Sequence, residues 1–498
     1  MKINSSENYL NLIVGALDIS IIPELNSASS RGAAEIVRAT LIELVKRQSL
    51  SLPALRDSVI QGEALARAMQ LFMGTPAEVL EPVVHAESEG FDALALQHAA
   101  LTQRINDLCN KLVALGQKAV LHAADEVRAD LLLRGAQWET SYYTRQAQIS
   151  PAPTVPEETA GAPLSREFLQ KFLNERRSAD EVPVEVTSFE PVLGGFGKQT
   201  FLCRAKELFS SLEWDLVVRK TDPKPIMMHG FSILEQEYHL LRSLAKTGFP
   251  APRPRHLASN VPGVDGSFYT MDRISGRVLG SFLGGMNRTY SEHLYLQLAE
   301  LMATLHRIPI ETFGDYLREH GDEVFLTANV GDCYRRNIAG WRRYAAETPH
   351  LPSPFLGWLF DWLDRHAPQD SRRPVLVHGD FNVHNMLEED GKITGVLDWE
   401  CADFGAPEQD LAYIRPHIEK HISWQRFLDH YHSSGGPEID PNLMHYCMAY
   451  AAVRVNLAGN RGSLNLQQGV NRDIRYAMVE LGFAQAFMQM ALGSALLQ

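Results

Sequence analysis

Two periods of apolar spacing divide this chain. Residues 1 to about 145 carry apolar positions at helical intervals. Ile36, Val37, Leu41, Leu44 and Val45 form one stripe and Leu101, Ile105, Leu108, Leu112 and Leu115 another. Sustained two-residue alternation is absent there, so a small all-α bundle is expected over 1–145. Residues 146–163, rich in proline and small residues, have no apolar period and read as a linker. A helix over 165–177 follows, and then the period changes. Val184 to Phe189, Phe201 to Ala205 and Asp215 to Lys220 alternate as strands, and a helix is expected over 231–244. From Ser291 onward helical spacing returns at 296–306, 333–347, 355–366, 440–458 and 474–497, with a connecting loop at 460–469. One apolar interruption, 375–400, reads as a hairpin turning at Asp390-Gly391, the residue pair favoured in a type I′ turn.

Polar residues on that hairpin carry the candidate chemistry. Centring the turn on Asp390 and Gly391 pairs Asn385 with Val396 and leaves Asp398 one diagonal step away, roughly 7–8 Å across the strands. An amide oxygen and a carboxylate are hard ligands suited to Mg²⁺. Asp380, five residues before Asn385, stands at the mouth of the same site, able to accept a proton. The spacing His378-x-Asp380-x4-Asn385, with Asp398 thirteen residues on, is that of catalytic Asp, metal Asn and metal Asp in kinases. Here it is written His-Gly-Asp and Asp-Trp-Glu.

These motifs resemble those of the aminoglycoside phosphotransferase and choline kinase group of small-molecule kinases, most closely the branch attached to some acyl-CoA dehydrogenases. The resemblance implies an α+β, two-lobed protein-kinase-like fold, with a β-rich N-lobe over 164–280 and a helical C-lobe over 281–498. It further implies ATP and Mg²⁺ as cofactors. The glycine-rich turn Leu193-Gly-Gly-Phe-Gly-Lys198 then becomes a phosphate loop, in which Gly194, Gly195 and Gly197 let backbone N–H groups approach the nucleotide. Lys198 stands where relatives often carry asparagine, and is either a phosphate contact or a solvated side chain. Aligned on the family's strand, Arg219 takes the place of the phosphate-binding lysine. Arg219 and Lys220 point to opposite faces of the strand, so only one of the two can hold the phosphates, Arg219 being preferred and Lys220 the alternative, and Glu237 is the expected helix partner. Residues Met271, Asp272 and Ile274 fall where the lobe connection meets adenine. Asp410, at a helix start, and His378 are read as steadying the catalytic loop.

Composition narrows the partners. A net charge of −13 argues against nucleic acid or an anionic membrane. The N-terminus lacks the apolar core of a signal peptide, and no apolar run approaches a membrane span. The five cysteines are scattered, without metal-site spacing, as expected of reduced thiols in a cytoplasmic protein. His98 lacks a partner at ligand spacing, and His122, with Asp125 and Glu126 one turn on, reads as a surface charge pairing rather than a metal site, so the first 145 residues read as an accessory or self-association module. The expected activity is phosphorylation of a hydroxyl on a small molecule. A metabolite such as a hydroxyacyl thioester is the preferred acceptor and an aminoglycoside the alternative. A rival of another class is a non-catalytic nucleotide-binding scaffold.

Overall fold

A computed structural model describes residues 6–25, 28–47, 52–75, 91–116, 122–141, 164–178, 181–192, 197–222, 225–280, 289–468 and 484–497. The expected linker 146–163 lies outside them. The chain forms two compact units, each assembled from separated stretches. One comprises 1–153, 335–368 and 445–498, and the other 154–334 and 369–444.

The first unit is helical. It contains α1 (Ser6–Ala16), α2 (Ala28–Arg47), α3 (Leu52–Phe72), α4 (Phe91–Gly116) and α5 (His122–Ser141). The expected stripe of α4 is buried through Leu101, Ile105, Leu108 and Leu112. His98 is a satisfied core residue: its Nε2 lies 3.1 Å from Ser58 Oγ, and its ring stacks on Trp138 at 4.9 Å. The unit cuts the chain differently from the expected 1–145 and 281–498 boundaries, because its polar interior is completed by a distant helix (Pro354–Arg365). The buried Glu139 carboxylate accepts the Ser353 hydroxyl at 3.1 Å and the Phe355 N–H at 2.8 Å, and Arg128 meets Asp361 at 2.7 Å. A buried charge needs a partner, and these partners lie more than two hundred residues away, where no local pattern reveals them. The expected loop at 460–469 is helical as far as Gln467, inside a helix spanning Leu443–Gln467.

In the second unit, α6 (Arg166–Asn174) covers one face of an antiparallel sheet. Its strands are β1 (Val184–Val192), β2 (Lys198–Glu207), β3 (Glu213–Thr221), β4 (Pro254–Ala258) and β5 (Phe268–Asp272), in spatial order β1-β2-β3-β5-β4. Alternation sends Val184, Val186, Leu216, Val218 and Phe268 into a core with Leu169, Phe172 and Leu173 of α6. The opposite face receives Arg219 and Tyr269, which are paired across β3 and β5. Helix α7 (Leu234–Leu244) follows β3 in the chain. Beyond β6 (Arg277–Val278) comes α8 (Glu292–His306). The expected hairpin then forms from β8 (Met386–Glu389) and β9 (Lys392–Val396), preceded by β7 (Val375–Val377) and followed by β10 (Asp403–Gly405), which pairs with β7. Helices Glu408–Ile418 and Trp424–Ser433 follow. A sheet-rich part succeeded by a helix-rich part built around a hairpin is the expected α+β, kinase-like arrangement.

Candidate active site

The hairpin turns where expected, with Asp390 at φ 51° and Gly391 at φ 80°. Its register does not follow the expected ladder. Glu388 pairs with Ile393 but Leu387 pairs with Gly395, so Thr394 is bulged out and Met386, not Asn385, faces Val396. Thr394 is held there by its hydroxyl, which donates to the Ser275 carbonyl at 2.7 Å. Asn385 instead accepts the Leu397 N–H through its carbonyl at 2.8 Å. Asp398 sits just beyond, in the left-handed region at φ 65°, ψ 67°.

The loop before β8 is clamped from beneath. The fully buried Asp410 carboxylate accepts the backbone N–H groups of His378 and Gly379, each at 2.8 Å, and His306 Nε2 at 3.2 Å. His378 accepts the Asp380 N–H on Nδ1 at 3.2 Å, so its proton resides on Nε2, which donates to the Leu397 carbonyl at 2.8 Å. One neutral imidazole thus ties the loop bearing Asp380 to the strand end bearing Asp398. Gly379 explains why the motif reads His-Gly-Asp. Its φ is +75°, and a Cβ there would stand 2.1 Å from the Cys401 carbonyl oxygen. Trp399 likewise explains Asp-Trp-Glu: it is wholly buried, its ring centroid 4.7 Å from that of His378, and its N–H donates to the Val396 carbonyl. A literal Asp-Phe-Gly at 403–405 forms β10 and pairs with β7 instead.

Asp380 Oδ2 accepts the Asn385 amide at 3.0 Å and lies 3.2 Å from His384 Nε2. The same Asn385 amide nitrogen also donates to the Asp380 carbonyl at 2.9 Å. The amide oxygen takes no part in these bonds. Burial pulls the His384 pKa down, but the Asp380 carboxylate outweighs it and leaves the imidazole above its ordinary value.

Across from the hairpin, two cations and three carboxylates interlock. Arg219 reaches Asp398 at 3.0 Å, Glu237 at 3.4 Å and Glu400 at 3.5 Å. Lys198, with 3 % of its side chain exposed, is not solvated: it contacts Glu237 at 2.9 Å and Glu400 at 3.0 Å. Lys220 faces the other way and pairs with Asp265 at 2.9 Å. Burial, then the Glu400 charge, raises the Asp398 pKa, and the three carboxylates outnumber the two cations by one. Hard oxygen donors in such surroundings fit a small divalent cation.

Of the remaining expected residues, Gly194 and Gly195 lie outside the described residues. A Cβ on Gly197 would stand 3.3 Å from Glu400. Met271 pairs with Val217 and shares the Arg219 face of the sheet. Asp272 points to the other face, where its carboxylate pairs with Arg255 at 2.6 Å, and its N–H is taken by the Arg253 carbonyl. Only its backbone carbonyl remains to offer a base. Ile274 lies against Gly395. Sequence reasoning missed Glu400 and His384. Both had a signal: Glu400 is the third letter of Asp-Trp-Glu, and His384 stands four residues after Asp380.

A sheet that presents an arginine to a helix glutamate, above a loop bearing Asp380 and Asn385 and a strand end bearing Asp398, defines a small-molecule phosphotransferase of the kinase type. The chain belongs to the phosphotransferase enzyme family, whose model matches residues 188–441, just over half of the 498. Acyl-CoA dehydrogenase family member 11 of Rattus norvegicus is 30% identical over 215 residues, covering 43% of this chain and 26% of that protein. The Homo sapiens protein of the same name is 25% identical over 240 residues, 46% of this chain and 29% of its own. The matches thus span under a third of these relatives' length. Among solved structures, macrolide 2'-phosphotransferase MphH of Brachybacterium faecium is 19% identical, with a TM-score of 0.38 over 62% of this chain and 97% of that one. A spectinomycin phosphotransferase in complex with ADP and spectinomycin is 14% identical, with a TM-score of 0.42 over 67% and 99%. No helix among the described residues is long and apolar enough to cross a membrane.

Proposed function

We propose that this chain transfers the terminal phosphoryl group of ATP to a hydroxyl of a small metabolite, with a hydroxyacyl thioester as the acceptor. The observation that carries this reading is the meeting of Asp380 with Asn385 and His384 on a loop that His378 ties to the strand end bearing Asp398. Asp380 accepts the proton leaving the acceptor hydroxyl as its oxygen bonds to phosphorus. Asn385, through its amide oxygen, and Asp398 would hold Mg²⁺, which when bound supplies neutralising charge to the phosphates. Arg219 holds phosphate oxygens, Glu237 orients Arg219, and Gly194, Gly195 and Gly197 bring backbone N–H groups to the nucleotide. Met271 and Ile274 pack against adenine, while Asp272 contributes its carbonyl. Lys198 is assigned a positioning role, because both of its carboxylate contacts hold it to Glu237 and Glu400.

The thioester acceptor is supported by the acyl-CoA dehydrogenase names of the relatives. An ADP-release screen across hydroxyacyl-CoAs, amino alcohols, aminoglycosides and macrolides tests it. Turnover with hydroxyacyl-CoAs supports the reading, and turnover confined to aminoglycosides replaces it with antibiotic phosphorylation. Asp380→Asn and Asp398→Ala should each abolish turnover while leaving the fold intact. If both retain wild-type rates, the phosphotransfer assignment fails. A nucleotide-binding scaffold without catalysis would bind ATP with no Mg²⁺ requirement.

A further inference from the structure

The face of the sheet turned away from Arg219 carries a cavity of about 320 Å³ where α6 ends against β3, β4 and β5. Its volume is at the lower end of those that hold drug-sized ligands, about 300–1,000 Å³. Leu173 and Leu216 are buried in its apolar floor and Trp214 forms a wall. Its lining brings three guanidinium groups together with two carboxylates. Arg177 is met by Glu207 at 2.6 Å and Arg255 by Asp272 at 2.6 Å. Arg176 differs from both. It lies over the Phe172 ring at 3.4 Å and donates to the Phe172 carbonyl at 3.1 Å, and it has no carboxylate partner among the described residues. Burial, and then the charges of Arg176 and Arg255, hold the His256 imidazole below its ordinary pKa, so it lines the cavity as a neutral neighbour of the guanidinium groups. An apolar floor beneath a guanidinium that forms no carboxylate ion pair among the described residues, only the neighbouring Glu175 charge acting on it, selects a ligand with a flat apolar body and one anionic group.

We infer that this cavity, distinct from the proposed nucleotide site, binds a small aromatic carboxylate. Its ring lies along Trp214 and Leu216 and its carboxylate meets Arg176. Asp272 links the cavity to the 271–274 connection, since its carboxylate lines the cavity while its carbonyl belongs to the backbone offered to adenine. The inference stands on the outer face of the sheet and does not require the phosphotransfer reading.

Calorimetric titration of the full chain with 2-naphthoate, and with neutral 2-naphthamide as control, tests it. Saturable 1:1 binding of 2-naphthoate is expected, at least about tenfold tighter than 2-naphthamide, the worth of one charge-assisted hydrogen bond. Arg176→Gln should weaken 2-naphthoate by a similar factor and leave both the melting temperature and direct AMP-PNP binding unchanged. Binding should persist under saturating Mg²⁺ and AMP-PNP. Failure to bind, equal affinity for the amide, indifference to Arg176→Gln or displacement by AMP-PNP each overturns the inference. Failure of AMP-PNP itself to bind would count against the nucleotide reading and leave the cavity's result intact.

Discussion

Replacing Lys198 by methionine keeps an unbranched chain of similar length and removes its charge. In the native cluster, Lys198 and Arg219 oppose Glu237, Asp398 and Glu400, leaving one surplus negative charge. The substitution raises the surplus to two and leaves Glu237, 2 % exposed, with Arg219 as its one remaining cation in the cluster. Removing one partner of a buried pair costs about 3–5 kcal/mol. Arg219 still compensates part of the charge, so the lower value, about 3 kcal/mol, applies. For a unit of this size that lowers the melting temperature by ~6–12 °C. Lys198→Met with Glu400→Gln restores the original surplus, and should melt above Lys198→Met alone, a non-additivity expected of groups in one network. Differential scanning calorimetry of wild type, both single variants and the double variant reads this directly. If Lys198→Met melts within about 2 °C of wild type, or if Glu400→Gln adds its full cost on top, the cluster does not hold these elements together as described.

Other consequences are open to measurement. Gly379→Ala forces a side chain into φ +75° against the Cys401 carbonyl, costing about 2–5 kcal/mol from backbone and packing together and depressing kcat. Gly391→Ala, at φ +80° with nothing within 4 Å, should cost only about 1–2 kcal/mol. Equal melting losses would refute the account of Gly379. The His384 pKa is raised in the folded protein, so its pairing with Asp380 contributes stability in full below about pH 6.5, and this is lost as pH rises through the higher folded value. Deprotonation also frees Asp380, so kcat should climb over that same range, and the acid limb should move to lower pH in His384→Gln. An unmoved limb would remove His384 from the proton's path. AMP-PNP at a hundred times its Kd should stabilise the protein by about 2.7 kcal/mol in the presence of Mg²⁺ and markedly less after chelation. Asp398→Ala should abolish that Mg²⁺ dependence.

Much of the site is written in short-range order. The turn at Asp390-Gly391, the spacing of Asp380, Asn385 and Asp398, and the alternation separating Arg219 from Lys220 all follow from local geometry. Periods of two and 3.6 residues fix which face a side chain takes before any tertiary contact forms. The register is a different matter. A bulge at Thr394 depends on a hydrogen bond to Ser275, more than a hundred residues earlier, and it moved Asn385 one place along the ladder. Lys198 shows the same limit, because a lysine beside a glycine turn has the same local pattern whether it meets water or two carboxylates. Its burial was settled by Glu237 and Glu400, brought in from a helix and a strand end that only folding assembles. The helical unit was hardest to read for the same reason. Its apolar stripes are local and were legible, but the charges of Arg128 and Glu139 found their partners on the helix Pro354–Arg365. Sequence by itself determined which chemistry this chain carries and on which elements. Tertiary structure alone decided which charges meet, because desolvation makes pairing obligatory inside the protein and leaves no trace in the spacing outside it.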